Sequence, residues 1–475
     1  MRYPQVKKLT SVEAVRARFA ELGLEIPIDD AVDPEGALAA PVTIHDGSAG
    51  TLSAPNRFAI LPMEGWDGTD DGRPTDLVRR RWSRFGRSGA GLVWAEATAV
   101  QPEGRANPHQ LVLDERTAAS FADLRGLLAP GQLTGLQLTH SGRYARPGAS
   151  PLPRTAYAHP YLDPRVGVGA EVVLTTGELD DLVVRYVDAA VLARDAGFDF
   201  VDVKHCHGYL LHELLSARDR ADGYGGDLAG RTHFLRSVVA GIRERAPGLA
   251  IAVRFSAFDL MPFVTGPDGT GVPDALAAGA GAYPYAFGGD GTGLGIDLTE
   301  PHAFLDLLED LGIGLVCTTA GSPYYNPHIQ RPAYFPPSDA YQPPEDPLFG
   351  VARQLAVTAE LTARHPQLTM VGSGYSYLQD WLPEVAQAVV ATGGADVIGL
   401  GRMALSLPEL PARVLAGDPL DRHLICRTFS DCSTAPRNGL VSGCFPLDPF
   451  YKEHPQRVAL AAAKKATRGP KPAVS

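Results

Sequence analysis

Short apolar stretches recur along the middle of the chain, and each is followed by a segment with helical spacing. These stretches are rich in β-branched and aromatic residues and end in Gly, Ser, Thr or a charged residue, which is typical of β-strands. Several are apolar at almost every position, which favours strands covered on both faces in a parallel sheet. The predicted strands are residues 58–63, 91–98, 133–140, 198–205, 251–256, 313–321, 368–374 and 395–402.

The segments between these strands have the periodicity of amphipathic helices. Within residues 230–247, one stripe carries Phe234, Leu235, Val238, Val239 and Ile242, as expected for a helix that covers a sheet. Eight strand–helix units in order predict the α/β class, as a closed (β/α)₈ TIM barrel. An open doubly wound sheet with the same elements is the alternative.

The remaining segments are predicted to be extensions and loops. Residues 1–50 form an N-terminal extension, with a helix over 11–23 and a hairpin within 41–55 that closes the barrel bottom. The barrel takes residues 51–415, and residues 416–475 form a C-terminal extension with a tail that we expect to be disordered after Arg457.

Two long loops follow predicted strand ends, where the active-site loops of a barrel lie. They cover residues 258–297, rich in Gly, Ala and Pro, and residues 321–348, rich in Pro and Tyr. Residues 288–295 (GGDGTGLG) miss the spacing of phosphate-binding motifs and predict a flexible loop.

Composition excludes several classes of partner. The 475 residues include 43 Lys and Arg against 54 Asp and Glu, a net charge of −11, which argues against a nucleic-acid-binding surface. No apolar run is long enough for a membrane span, and the N-terminal residues lack the apolar core of a signal peptide. We therefore expect a cytoplasmic protein that acts on a small molecule.

Polar residues at the strand ends are the candidates for chemistry, because parallel strands of a barrel end at one rim. Gln137 lies in the third predicted strand, Arg254 lies in the fifth, and Lys204, His207 and Tyr209 follow the fourth. The seventh and eighth predicted strands end in VGSG and GLGR, which are Gly-rich turns that suit a phosphate group.

Several motifs in family order carry a resemblance from Asn56 to Leu415. The chain resembles the old yellow enzyme family of FMN-dependent oxidoreductases, and in particular its long branch with 2,4-dienoyl-CoA reductase and trimethylamine dehydrogenase. The motifs are NRFAILPM (56–63), WAEATAVQPEGR (94–105), GLQLTHSGR (135–143), HGYLLHELLSARDRADGYGGDLAGR (207–231), VRFS (253–256), VGSG (371–374) and IGLGR (398–402).

The resemblance implies FMN as cofactor and NAD(P)H as electron donor. Gln137 and Arg254 would bond the pyrimidine edge of the flavin, and Pro62, Met63 and Ala97 would line its ring. Glu64 stands near the flavin C4 oxygen where the family has Thr or Cys, and an anionic Glu there should make the flavin harder to reduce. The phosphate would be held by Gly372, Ser373, Gly374, Gly401 and Arg402.

The resemblance also assigns catalytic roles. Tyr209 falls on the position of the proton donor, and Lys204 with His207 on the pair that anchors the substrate. The Lys departs from the usual His; it would hold a carbonyl oxygen or a carboxylate, unless it pairs with a structural acid such as Glu96. The implied function is reduction of an activated alkene conjugated to a carbonyl. A dehydrogenase of an amine or carbonyl compound and a non-catalytic barrel subunit are the alternatives, and a homo-oligomer is expected.

Three of the five cysteines, Cys426, Cys432 and Cys444, lie close together in the sequence. Iron–sulfur members of the long branch have C-x₂-C-x₃-C-x₁₁-C, and only the last two cysteines match that spacing. We predict three reduced thiols and no metal, with Zn²⁺ or an altered cluster helped by His423 as the alternative. The chain ends before the dinucleotide-binding domains of those relatives, so a barrel-only version is expected.

Overall fold

A closed barrel of eight parallel strands forms the centre of the computed structural model, which describes residues 3–467. The strands run around the barrel in the order β3-β4-β5-β6-β7-β10-β11-β12, and β12 pairs with β3 to close it. All eight predicted strands are confirmed, and so is the TIM barrel. The strands are β1 Val42–Asp46, β2 Gly50–Ala54, β3 Phe58–Ile60, β4 Leu92–Ala99, β5 Leu133–Thr139, β6 Phe200–Val203, β7 Ala250–Phe258, β8 Phe263–Thr265, β9 Gly271–Pro273, β10 Leu315–Ala320, β11 Thr369–Gly372 and β12 Val397–Leu400.

Helices surround the barrel and connect its strands. In α8 the predicted apolar stripe is buried, from Phe234 to Ile242. None of the helices in the described part of the chain is long and apolar enough to cross a membrane. The α-helices are α1 Val12–Leu22, α2 Asp76–Gly86, α3 Ala118–Arg125, α4 Asp163–Val166, α5 Thr176–Asp195, α6 Leu210–Leu215, α7 Leu228–Arg231, α8 His233–Arg245, α9 Ala275–Gly279, α10 Thr299–Asp310, α11 Pro327–Gln330, α12 Pro347–Arg364, α13 Leu382–Ala391, α14 Met403–Ser406, α15 Leu410–Ala416, α16 Asp431–Arg437, α17 Pro449–Lys452 and α18 Gln456–Thr467.

Large aromatic side chains fill the barrel interior. Trp94 from β4 and Phe200 from β6 meet edge to face, with ring centroids 5.1 Å apart. Gly135 on β5 lies against them, and a Cβ atom there would come within 2.1 Å of the Phe200 ring. The close approach of this ring explains why a strand position is occupied by glycine.

The β1–β2 hairpin closes the end of the barrel where the strands begin. Ile44 is fully buried among interior residues. The Asp46 carboxylate accepts a hydrogen bond of 3.2 Å from the backbone N–H of Ile251, and the Gly47 N–H donates to the Gly312 carbonyl at 2.7 Å. The hairpin predicted from residues 41–55 is therefore confirmed.

The C-terminal tail differs from the prediction. Residues from Gln456 to Thr467 form helix α18, so the predicted disorder after Arg457 is wrong up to Thr467. The helix is held because Leu460 packs into a small apolar cluster with Phe445 and Tyr451, and Lys464 pairs with Asp431 at 2.5 Å. The rest of the predicted tail, 468–475, lies outside the described residues.

Candidate active site

A cavity of about 230 Å³ opens at the carboxyl ends of the barrel strands. Apart from Gly372, every residue that the sequence analysis assigned to cofactor or catalysis lines this cavity. Those residues are Pro62, Met63, Glu64, Ala97, Gln137, Lys204, His207, Tyr209, Arg254, Ser373, Gly374, Gly401 and Arg402.

Asp202, which sequence reasoning missed, organises the floor of the cavity. It is fully buried on β6 and accepts hydrogen bonds from the Gln137 amide (2.6 Å), the Trp94 indole (2.9 Å) and the Arg254 backbone N–H (2.8 Å). Burial raises its pKa to about 6, against the lowering effect of these donors. Since the Gln137 amide nitrogen is directed to Asp202, its carbonyl oxygen is left as the acceptor for the cavity.

Arg254 places a buried cation on the same floor. Its side chain is 6% exposed, and its Nε has no hydrogen-bond partner. In residues 3–467 no carboxylate lies within 4 Å of the guanidinium. A buried guanidinium without a partner is costly, so this position is suited to an electron-rich group bound in the cavity.

Lys204 lies at the end of β6 with its ammonium group 3.7 Å from the centre of the Tyr209 ring. Burial lowers its pKa, while Cys206 and Glu64 oppose that shift. Pairing with Glu96, the alternative from the sequence, is wrong, because Glu96 accepts from Arg81 at 2.8 Å and from the Trp82 indole at 2.9 Å. Lys204 is thus free to face a ligand.

Two phenol groups meet beside this lysine. The hydroxyls of Tyr209 and Tyr324 are 3.0 Å apart, and the Tyr324 ring stacks on Tyr144 with centroids separated by 3.8 Å. Burial raises the pKa of Tyr209 well above 10 and that of Tyr324 to about 12. Both hydroxyls therefore carry their protons at neutral pH.

His207 is held in the left-handed backbone region, with φ of 69°. Its backbone N–H donates to the Ser256 hydroxyl at 3.1 Å, and its Nε2 lies 3.2 Å from the Gln330 amide nitrogen and 3.5 Å from the Thr319 hydroxyl. Burial and the neighbouring Arg254 lower its pKa well below 6.5. The imidazole is therefore neutral, and its orientation is set by these contacts.

Glu64 is a carboxyl group with a raised pKa. Burial raises its pKa to about 7, against the opposing effects of Lys204 and of the Trp66 indole, which donates a hydrogen bond to its carboxylate. Glu64 therefore keeps its proton to higher pH than an exposed carboxyl group does. Trp66 itself has φ of 48°, an uncommon conformation for a bulky residue.

A second group of cations lies toward the Gly-rich turns. Gly374 has φ of 99°, and the buried Nη1 of Arg402 has no hydrogen-bond partner. Arg331, from the Pro- and Tyr-rich loop, also has a buried Nε and Nη2 without partners. Burial, with Arg437 and Arg402 nearby, lowers the pKa of Arg331 to about 9. These donors are arranged for an anion.

The C-terminal extension supplies part of the cavity wall, through Cys432, Ser433, Pro436, Arg437 and Ser442. All five cysteines are free thiols. Cys426 is buried whereas His423 is exposed, and within residues 3–467 no set of three converging metal-ligand atoms includes a cysteine. The alternative of a metal helped by His423 has no support in this geometry.

Family comparison finds one match. Residues 38–272, just under half of the chain, match the NADH:flavin oxidoreductase / NADH oxidase family. It is a family of FMN-binding enzymes that use NAD(P)H. The resemblance to old yellow enzymes is therefore confirmed.

Individual relatives agree with this assignment. The chain is 26% identical over 383 residues to the NADH oxidase of Thermoanaerobacter brockii, covering 79% of this chain and 51% of that protein. It is 34% identical over 209 residues to the NADPH dehydrogenase of Bacillus pumilus, and this match covers 43% of this chain and 60% of that protein. The chain thus spans about half the length of the first and three-fifths of the second.

A solved structure shares the fold. The old yellow enzyme homologue from Zymomonas mobilis superposes with a TM-score of 0.54 at 24% identity, over 81% of this chain and 93% of that one.

The residues of the cavity suit FMN. The unpaired buried nitrogens of Arg254 and Arg402 are donors that an electron-rich ring edge and a phosphate would satisfy. At Gly401, a Cβ would meet only Met63 Sδ, 3.7 Å away, so the backbone is open to close approach by a ligand.

Proposed function

We propose that the chain is an FMN-dependent reductase of alkenes activated by a carbonyl group, with NAD(P)H as the electron source. The observation that carries this proposal is that Lys204, His207 and Tyr209 line the same cavity as buried guanidinium nitrogens that have no hydrogen-bond partner. Bound FMN would supply the redox chemistry, taking a hydride equivalent from NAD(P)H and passing it to the β-carbon of the substrate.

Gln137, Arg254 and Arg402 would hold the cofactor. The carbonyl oxygen of Gln137 would accept from the ring edge while Asp202 holds its amide nitrogen. Arg254 would offer a cation to the same edge, where negative charge develops on reduction. Arg402, with its unpartnered Nη1, and the turn at Gly374 would receive the phosphate.

Lys204 and His207 would bind the substrate carbonyl. Charge grows on this oxygen as the β-carbon is reduced, and donors already in place stabilise that charge by several kcal/mol. Neither group needs a carboxylate partner from the chain, which leaves Lys204 able to take a substrate carboxylate as well. Substrates with an anionic group next to the alkene are therefore included in the proposal.

Tyr209 would protonate the α-carbon. Its raised pKa keeps the phenol protonated, and Tyr324, 3.0 Å away, can restore the proton after transfer. Such a general-acid step accelerates reactions by about 10² to 10⁴.

Anaerobic stopped-flow mixing tests the proposal. We expect one equivalent of FMN in the purified protein, loss of flavin absorbance on mixing with NADPH or NADH, and its return with 2-cyclohexen-1-one or crotonate. A flavoprotein that neither nucleotide reduces would contradict the proposed direction, and a protein that binds no flavin would favour a non-catalytic barrel.

A dehydrogenase of an amine or carbonyl compound is the second candidate, and the ionisation of Glu64 favours it. A carboxyl group with pKa about 7 beside a lysine of lowered pKa could accept a proton from a substrate. In that case the organic substrate alone would bleach the flavin in the same experiment.

A further inference from the structure

A histidine and two carboxylates converge outside the barrel, at the end opposite the cavity. Asp306 and Glu309 lie one turn apart near the end of α10, and His365 directly follows α12. Their ligand atoms all lie within 4.8 Å of one another. We call Asp306, Glu309 and His365 the α10–α12 cluster.

The distances within the α10–α12 cluster suit a shared ion better than hydrogen bonds. His365 Nδ1 lies 3.4 Å from Glu309 Oε1 and 3.7 Å from Asp306 Oδ1, beyond the usual range for N–H···O bonds. Zn²⁺ holds N and O ligands at about 2.0–2.2 Å in tetrahedral geometry, which separates neighbouring ligand atoms by about 3.4 Å.

A second histidine orients His365. His365 Nε2 contacts His302 Nδ1 at 3.0 Å, so one ring nitrogen is engaged on the side away from the carboxylates. His365 Nδ1 is therefore the ring nitrogen that faces Asp306 and Glu309.

This arrangement suits a cation in the α10–α12 cluster. His365 Nδ1 would offer its lone pair to the ion while its Nε2–H donates to His302 Nδ1, 3.0 Å away. A histidine ligand oriented by a partner on its other nitrogen is the usual arrangement around protein-bound metals.

The carboxylates lack other cationic partners. In the described part of the chain no Lys or Arg lies within 4 Å of Asp306 or Glu309, and Glu309 Oε1 is a buried oxygen without a hydrogen bond. His365 is 1% exposed and directs its Nδ1 into this acidic pair. Asp306, 59% exposed, leaves the site open to water.

We propose that Asp306, Glu309 and His365 bind a divalent transition-metal ion, for which one imidazole and two carboxylates suit Zn²⁺, with His302 as the outer partner. Water completes the coordination. The ion joins the end of α10 to the end of α12, the two helices on either side of β10 in the chain, and it stabilises the barrel away from the flavin site. This proposal does not depend on the proposed function.

Zinc titration of the chelator-treated full-length protein, followed by calorimetry, tests the site. We expect one equivalent bound by the wild type and an affinity at least about tenfold lower in Glu309→Gln and in Asp306→Asn. Asp310→Asn, the same type of change at an exposed neighbour on α10, is the control and should bind as the wild type does. Zn²⁺ should raise the melting temperature of the wild type and of the control but not of Glu309→Gln.

Co²⁺ distinguishes this site from the cysteines. We expect a tetrahedral spectrum without thiolate charge-transfer bands, unchanged in Cys432→Ser. Thiolate bands, equal affinity in Glu309→Gln and the control, or no uptake by the wild type would each overturn the proposal.

Discussion

At the scale of single residues, burial decides the protonation states on the cavity wall. Tyr209 and Tyr324 are kept protonated, His207 is kept neutral, and Glu64 titrates near neutrality. Desolvation is the largest cause in each case, because the charged form loses its hydration. The chemistry of these groups therefore depends on their depth in the cavity as well as on their type.

The role of Tyr209 is tested by Tyr209→Phe, which keeps the ring beside Lys204 and removes the proton. We expect the rate of alkene reduction to fall by about 10² to 10³, while reduction of the flavin by NAD(P)H changes less than about twofold. Tyr186→Phe, which removes a buried hydroxyl on α5 outside the cavity, is the matched control and should leave the rate unchanged. Rapid alkene reduction by Tyr209→Phe in stopped-flow experiments would exclude this role.

The raised pKa of Glu64 predicts that the stability of the folded protein depends on pH. Its pKa rises from 4.5 in the unfolded chain to about 7 in the folded protein, so the folded state keeps the proton to higher pH. Stability contributed by this group is therefore present below about pH 4.5 and is lost as pH rises through about 7. We expect the free energy of unfolding of the wild type, relative to Glu64→Gln, to fall between pH 5 and 7 in urea titrations. A rise over that range would contradict the assignment.

At the scale of elements, close contacts across the barrel determine which small residues its strands require. Gly135 on β5 is such a residue, because the Phe200 ring from β6 occupies the space that a side chain would need. Gly177, in the first turn of α5, has no atom near the position of a Cβ and provides a comparison.

Gly135→Ala should destabilise the barrel by about 1–3 kcal/mol, since the added methyl group displaces the Phe200 ring. Gly177→Ala should be neutral or stabilise by up to about 1 kcal/mol, because alanine favours the helix. Denaturant midpoints of both variants give the comparison. Equal midpoints would show that the interior repacks without strain.

Helix α2 is joined to the cavity by a buried ion-pair network. Arg81 binds Asp67 at 2.7 Å and Glu96 at 2.8 Å, and Glu96 in turn accepts from the Gly65 backbone beside the cavity residue Glu64. Arg81 thus supports the loop that follows β3.

Arg81→Met would leave Asp67 and Glu96 buried without their cation and should cost about 3–5 kcal/mol of stability. Arg79 lies on the same helix as Arg81 and makes a partly exposed pair with Asp123 of α3, so Arg79→Met should cost less than about 1 kcal/mol. Urea unfolding of both variants measures the difference. Similar losses in the two would mean that the buried network contributes no more than a surface pair.

At the scale of the whole molecule, a chain with net charge −11 places buried or half-buried cations around one cavity. Lys204, Arg254, Arg331 and Arg402 all line it. A ligand that neutralises them should stabilise the folded protein by mass action. The cavity is therefore a site where anionic ligands raise global stability.

FMN should raise the melting temperature of the apo-protein more than riboflavin does, because riboflavin lacks the phosphate that Arg402 would bind. At a ligand concentration of about 100 times Kd the gain is about 2.7 kcal/mol. Arg402→Met should remove most of the difference between the two ligands while riboflavin still binds. If the difference persists in this variant, the phosphate lies elsewhere.

The barrel and most of the candidate site could be predicted from the order of residues alone. Alternation of apolar strands and amphipathic helices is a local pattern, and the carboxyl ends of parallel strands must meet at one rim. Gln137, Lys204, Tyr209 and Arg254 could therefore be assigned to one cavity before their contacts were known.

Contacts between residues far apart in the sequence became known only from the folded chain. Asp202 beneath Gln137, Tyr324 beside Tyr209, and Arg331 near Arg402 depend on how loops fold over the barrel, and no local periodicity encodes that path. Helix α18 likewise forms because Leu460 finds an apolar cluster to cover. Protonation states and the α10–α12 cluster follow from burial and proximity, which exist only in the folded chain.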